Sequence, residues 1–207
     1  MEMMPIQKNF IIFAPSPTNK TGETDKKERR NMRIITGLYK GRRFEVPRTF
    51  KARPTTDFAK ENIFNVLNAY IDFEGCRALD LFSGTGSITL ELLSRGCGQV
   101  ISIEADRDHH RFITQCVHAL ATDKCIPLRA DVFRFIKNCK EPFDFIFADP
   151  PYALKELAQL PALVLERQML KPGGIFVLEH GKDQNFSSHP RFAEHRSYGS
   201  VNFSIFR

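Results

Sequence analysis

Apolar and polar positions change their repeat along the chain, from alternation every second residue to a helical spacing near 3.6 and back again. RALDLF (77–82) reads as a strand that runs into a glycine-containing turn, and SITLELLSR (87–95) then carries helical spacing with Gly96 as its stop. The alternation continues with VISIEA (100–105) as a strand, DHHRFITQCVHALA (108–121) as a helix, IPLRAD (126–131) as a strand and VFRFIKNC (132–139) as a short helix. FDFIFADP (143–150) is the next strand, ALKELAQLPALVLERQ (153–168) a helix, and GIFVLEH (174–180) a strand behind the turn Lys171-Pro172-Gly173-Gly174. FAEHRSYG (192–199) and SVNFSIF (200–206) form a closing hairpin. Such alternation predicts an α/β, Rossmann-like, mostly parallel and doubly wound sheet, whose ligands sit at the carboxyl ends of its strands.

Upstream of this body the pattern differs. RIITGLYKGRRFEVP (33–47) reads as two short strands around Gly37 to Gly41, and a helix runs from the Thr55-Thr56 cap to about Tyr70. Residues 1–31 hold Pro15-Ser16-Pro17 and the charge run DKKERR without sustained periodicity, and are expected to be a mobile extension. The expected division is therefore 1–31 as that extension, 32–52 as a basic β-hairpin appendage and 53–207 as the main domain.

Charge sharpens the picture of the hairpin. The chain carries a formal net charge of +6, yet the stretch 26–60 alone holds twelve Lys/Arg against three Asp/Glu, so the rest is net acidic. A local excess of this size suits a polyanion, because neutralised phosphates release counterions. Lys40, Arg42, Arg43, Arg48 and Arg53 are the candidate RNA-facing residues, against the alternative of a merely solvated basic surface. The five cysteines are odd in number and lack metal-site spacing; they read as reduced, mostly buried small hydrophobes. His109-His110 reads as the solvated face of a polar helix, and no metal is expected. With 42% hydrophobic residues over 207 positions, no apolar run of membrane-spanning length and no export signal, a cytoplasmic protein is the expectation.

Candidate chemistry collects at strand ends. Asp80 and the loop Ser83-Gly84-Thr85-Gly86 close the first body strand, Glu104 the second, Asp131 the third and Asp149 the fourth. Glycines let backbone approach a ligand and turn into a helix whose first amides favour negative groups. Glu104, about twenty residues further on, is placed for ribose hydroxyls, and Asp131 for an adenine amino group, unless it serves only as a helix cap. In GTGSIT the third glycine of the dinucleotide fingerprint is Thr89, which disfavours a nicotinamide cofactor and favours one with an amino-acid end.

Asp80-Leu81-Phe82-Ser83-Gly84-Thr85-Gly86 resembles motif I of S-adenosylmethionine-dependent methyltransferases, and Asp149-Pro150-Pro151-Tyr152 resembles their amino-group motif IV. Met32 to Gly37, Lys40-Gly41-Arg42-Arg43, Arg53-Pro54-Thr55-Thr56-Asp57, Leu92 to Gly96 and Arg196-Ser197-Tyr198-Gly199 are similar to segments of the bacterial 16S rRNA guanine-966 N2-methyltransferases (RsmD-like). The resemblance covers 32–207. It implies a class I methyltransferase fold with a seven-stranded sheet and an antiparallel last hairpin, S-adenosylmethionine as cofactor, and 16S RNA or a 30S particle as the partner of a monomer. It further implies that Asp80, Phe82 to Gly86, Glu104, Asp131, Thr55 and Thr56 hold the cofactor.

For the Asp149-Pro150-Pro151-Tyr152 segment the chemistry is readable directly. An exocyclic base amine is a poor nucleophile hidden in a stack, so it must be exposed and oriented. The Asp149 carboxylate and the Pro150 carbonyl can each accept one N–H, Pro151 stiffens the backbone, and Tyr152 offers a stacking face. A plain strand exit with a turn is the bland alternative. Rival functions are an adenine-N6 methyltransferase on DNA or RNA, a nicotinamide-dependent oxidoreductase, and a catalytically silent RNA-binding protein.

Overall fold

The computed structural model describes residues 30–50 and 56–207. A two-stranded antiparallel sheet comes first, β1 (Asn31–Arg33) against β2 (Arg43–Glu45), with Met32 opposite Phe44. The body is a seven-stranded sheet in the order β5-β4-β3-β6-β7-β9-β8. Its strands are β3 (Arg77–Leu81), β4 (Gln99–Glu104), β5 (Cys125–Arg129), β6 (Phe143–Ala148), β7 (Leu170–His180), β8 (Phe192–Tyr198) and β9 (Val201–Phe206). Pairings from β5 through β7 are parallel, and β9 runs antiparallel to both of its neighbours. The helices are α1 (Asp57–Leu67), α2 (Ser87–Ser94), α3 (Arg107–Ala119), α4 (Val132–Asn138) and α5 (Leu160–Glu166). The predicted fold class, including the closing hairpin, is the observed one.

Strand alternation builds two apolar layers, one on each face. Ala78, Phe145, Phe147, Ile175 and Val177 point into the layer with α1, α2 and α3; Leu79, Ile146, Ala148, Phe176 and Leu178 point into the other, with α4 and α5. The same alternation directs Asp80, Ser102, Glu104, Asp149 and Glu179 to the first face. The hairpin belongs to that face too: Met32, Ile34, Val46 and Phe50 are buried among α1, α2 and α3.

Three expected elements differ. The helix expected over 153–168 is a 3₁₀ turn (Leu157–Gln159) followed by α5, because Pro161 lacks the N–H that a continuous helix requires and sits instead in the first turn of α5. The turn Lys171 to Gly174 lies within β7 as an irregularity: Phe143 pairs with Leu170 but Phe145 with Ile175. Finally, α1 stops at Leu67 rather than near Tyr70. His109, expected on a solvated face, is partly covered, its ring lying 4.2 Å from that of Phe50. Among the described residues, no helix is long and apolar enough to cross a membrane.

Candidate active site

Strand order reverses between β3 and β6, where chains leave to opposite sides and open a crevice at the carboxyl ends. The loop 82–86 and the segment 149–152 flank that switch point.

The loop is held from beneath. Ser83 donates its amide to the Ile103 carbonyl, and its hydroxyl to the Asp80 and Ile103 carbonyls at 2.8 and 3.2 Å, while accepting from the Ser102 hydroxyl. Ser83 therefore fastens the loop, and its polar atoms face inward. Phe82, at φ 60°, is one of few non-glycine residues in the left-handed region, and its ring meets Phe133 edge-on. Gly86, at φ 76°, opens α2, and a Cβ there would lie 2.9 Å from Ile113. The Gly84 amide donates to Glu104 at 2.7 Å; the other Glu104 oxygen takes the Asp106 amide. Each carboxylate oxygen keeps a second lone-pair direction for a ligand hydroxyl.

Asp80 and Asp131 take roles that spacing alone left open. Asp80 sits one residue before the end of β3, is 1% exposed, and accepts the Thr89 hydroxyl at 2.5 Å. The threonine in place of the third fingerprint glycine thus anchors the acid beneath the loop. Burial pushes the Asp80 carboxyl up to about 7, against the pull of the Thr89 hydrogen bond. Asp131 lies past the end of β5 and caps α4, accepting the Arg134 amide at 2.8 Å. Thr56 is the N-cap of α1, accepting from the Ala59 amide. Thr55 and Arg53 lie outside the described residues, as do residues 1–29 of the expected extension.

Across the switch point, the Asp149 amide reaches the Leu81 carbonyl at 3.3 Å, continuing the β3–β6 pairing past Ala148. Pro150 is buried, Pro151 exposed, and Tyr152 is 47% exposed. The Tyr152 hydroxyl donates to Glu179 Oε1 at 3.0 Å, leaving the ring face open. Burial and the neighbouring Glu179 carboxyl hold the Asp149 pKa well above the usual range; burial and Glu179 likewise raise the Tyr152 phenol. Sequence reasoning missed Glu179, although LEH at the end of an apolar strand was the signal: it is a further carboxylate on the same rim.

The basic residues divide by height. Lys40, Arg42, Arg43 and Arg48 are all exposed. The hairpin tip docks on the last turn of α2, where the Leu38 amide donates to the Ser94 carbonyl at 2.7 Å, and Arg42 donates to the Ala119 carbonyl at the end of α3. Lys40 and Arg42 therefore lie a helix length, roughly 12 Å, below the glycine loop. Arg48 lies toward Phe50, which contacts His109 near the start of α3. A second basic surface, an open groove of about 400 Å³ lined by Arg107, His110, Arg111, Thr114, Gln115 and Arg129, adjoins Glu104 on the rim.

Known proteins are similar to this chain in sequence and fold. A family model described as "Conserved hypothetical protein 95" matches residues 32–207. A Bacillus subtilis protein named putative rRNA methyltransferase YlbH is 36% identical over 156 residues, covering 73% of this chain and 84% of that one. Ribosomal RNA small subunit methyltransferase D of Haemophilus influenzae is 36% identical over 160 residues, covering 74% of this chain and 80% of its own length. Among solved structures, the putative methyltransferase yhhF of Escherichia coli superposes with a TM-score of 0.74 at 25% identity, over 85% of this chain and 97% of its own. The motifs at the two sides of the switch point, and the match across the whole body and hairpin, place this chain in the Conserved hypothetical protein 95 family, the RsmD-like family that those motifs resemble.

Proposed function

We infer that this protein is an S-adenosylmethionine-dependent ribosomal RNA methyltransferase that modifies the exocyclic N2 amine of a guanine. The observation that carries the reading is Asp149-Pro150-Pro151-Tyr152 at the end of β6, directly across the switch point from the glycine loop. The residues present fit that cofactor: Gly84 and Gly86 take the left-handed turn that carries the backbone from β3 into α2, Glu104 stands beside that loop, and Asp80 lies below.

When bound, the cofactor supplies an electrophilic sulfonium methyl group. The protein's own residues supply position. Asp80, Phe82, Ser83, Gly84, Thr85 and Gly86 form the floor and turn of the cofactor site; Glu104 takes ribose hydroxyls, and Asp131 stands at the adenine end. Thr56, the N-cap of α1, borders the methionine end, and Thr55 is assigned to the same end from the sequence. An Asp149 oxygen and the Pro150 carbonyl accept the two N–H bonds of the base amine, which frees its lone pair to face the methyl group. Pro151 fixes the exit of the chain, and the exposed face of Tyr152 stacks the extruded base.

The division into a basic hairpin over 32–52 and a catalytic domain over 53–207 accords with a hairpin that contributes RNA affinity. The proposed partner is 16S RNA, free or within a 30S particle, met by a monomeric enzyme through Lys40, Arg42, Arg43, Arg48 and Arg53. Incubation with methyl-labelled S-adenosylmethionine and unmodified 16S RNA, free and as 30S subunits, should yield labelled N2-methylguanosine by mass spectrometry. Labelled N6-methyladenosine instead would reject the guanine assignment. Asp149→Ala should abolish turnover while leaving cofactor affinity within a few-fold; normal turnover by this variant would sink the assigned role.

A further inference from the structure

Glu179 touches both residues that the proposed mechanism places on the base. It is 4% exposed, accepts the Tyr152 hydroxyl at 3.0 Å, and stands beside Asp149 across the β6–β7 pairing. Parallel register brings the two acids together, because Ala148 pairs with Leu178 and the next residue on each strand is the acid. Two neighbouring carboxyls withdrawn from water share a proton more readily than they hold two negative charges. We propose that Glu179 is a positioning residue of the methyl transfer, sharing one proton with Asp149 so that the pair, rather than Asp149 alone, receives the proton released by the base amine. The proposal rests on the exocyclic-amine reading above.

The balance of the step supports a pair. The C–S bond breaks with its electrons staying on sulfur, the nitrogen lone pair forms the N–C bond, and the nitrogen must then lose one proton. A dyad holding one proton has a net charge of −1 and becomes neutral on accepting a second, so no isolated buried charge is left. In its singly protonated state, Asp149 still offers an oxygen to one N–H of the base. Tyr152 is fixed at the same time, because its hydroxyl is spent on Glu179 and its ring cannot turn away.

Other titratable groups near the dyad are Tyr152, from the loop after β6, and Asp80, from β3, whose carboxyl feels the Asp149 charge. His180, next along β7, has its Nδ1 against the Gly181 carbonyl and Nε2 against the Ser204 hydroxyl, with His195 and Asp183 nearby. Burial holds its pKa below the ordinary imidazole value.

Coupled acids titrate as a pair with two apparent steps. In the ligand-free protein, carbon-13 NMR of labelled Asp and Glu carboxyls should show Asp149 and Glu179 responding together in two steps. In Glu179→Gln, Asp149 should give one step at lower pH than the upper step of the pair. The kcat profile should change in parallel, from a bell with two limbs to a single rise, while the affinity for S-adenosylmethionine stays within about two-fold. Glu179→Ala should lose Tyr152 positioning as well, raising KM for RNA, with the KM restored in Glu179→Gln. An Asp149 titration unchanged by Glu179→Gln, or a rate lowered equally at every pH, would overturn the proposal. If the wild type shows the coupled titration but methylates no guanine, the functional reading fails and the dyad stands.

Discussion

Asp80 shows how one side chain couples the cofactor loop to stability. Its folded pKa, about 7, lies above the ordinary 3.8 of an aspartate. Between those values the folded state binds more protons than the unfolded chain, so stability is greatest below about 4, declines as pH rises, and levels off above about 7. The shift corresponds to a cost on the order of 4 kcal/mol at high pH, and Asp149 acts in the same direction. Urea unfolding of the ligand-free protein at pH 5 and pH 8 should therefore show lower stability at pH 8. In Asp80→Asn, which mimics the neutral form, the difference should shrink; an unchanged pH dependence would assign the effect elsewhere. The sequence placed Asp80, Glu104 and Asp149 at the right strand ends by counting residues. It could not reveal that Asp80 is buried on Thr89, or that Asp149 has Glu179 as neighbour, because those contacts join different elements, β3 with α2 and the ends of β6 and β7.

At the scale of elements, α2 joins the hairpin to the body. All eight of its residues are buried, Glu91 among them at 0%. Glu91 accepts the Ile35 and Thr36 amides at 2.8 and 3.1 Å, pairs with Arg95 at 3.0 Å and lies 3.9 Å from Lys60. Lys60 in turn donates to the Arg33 carbonyl and to the Ser87 hydroxyl in the first turn of α2. Burial lowers the Lys60 pKa, with Glu91 opposing. Glu91→Ala would strand two amides and two buried cations, so denaturant unfolding should show a loss of about 3–5 kcal/mol. A loss under about 1 kcal/mol would mean that water replaces the carboxylate. LELLSR reads as an amphipathic helix with an acid on its surface, and helical periodicity cannot tell a solvated glutamate from one buried under a hairpin fifty residues upstream.

For the molecule as a whole, the question is where RNA lies. The basic excess is concentrated before residue 61, but folding spreads it: Lys40 and Arg42 sit beside the far ends of α2 and α3, whereas Arg48, Arg107 and Arg129 lie nearer the rim. Removing a phosphate contact should weaken binding and reduce the slope of log affinity against log salt by about one. Arg48→Ala should therefore reduce that slope for a short RNA containing the target guanine, and Lys40→Ala should reduce it less. Equal effects would show that the RNA reaches down the whole hairpin.

Local chemistry is what the sequence determined by itself. Alternation and helical spacing gave the order of strands and helices, while glycine, proline and acid positions marked the two motifs at the carboxyl ends, since backbone preference and side-chain periodicity act over a few residues. Tertiary structure decided which polar groups are buried together. The Asp149–Glu179–Tyr152 cluster, the Asp80–Thr89 contact and the Glu91 anchor depend on sheet order and register, which bring distant segments together and remove water from the charges between them.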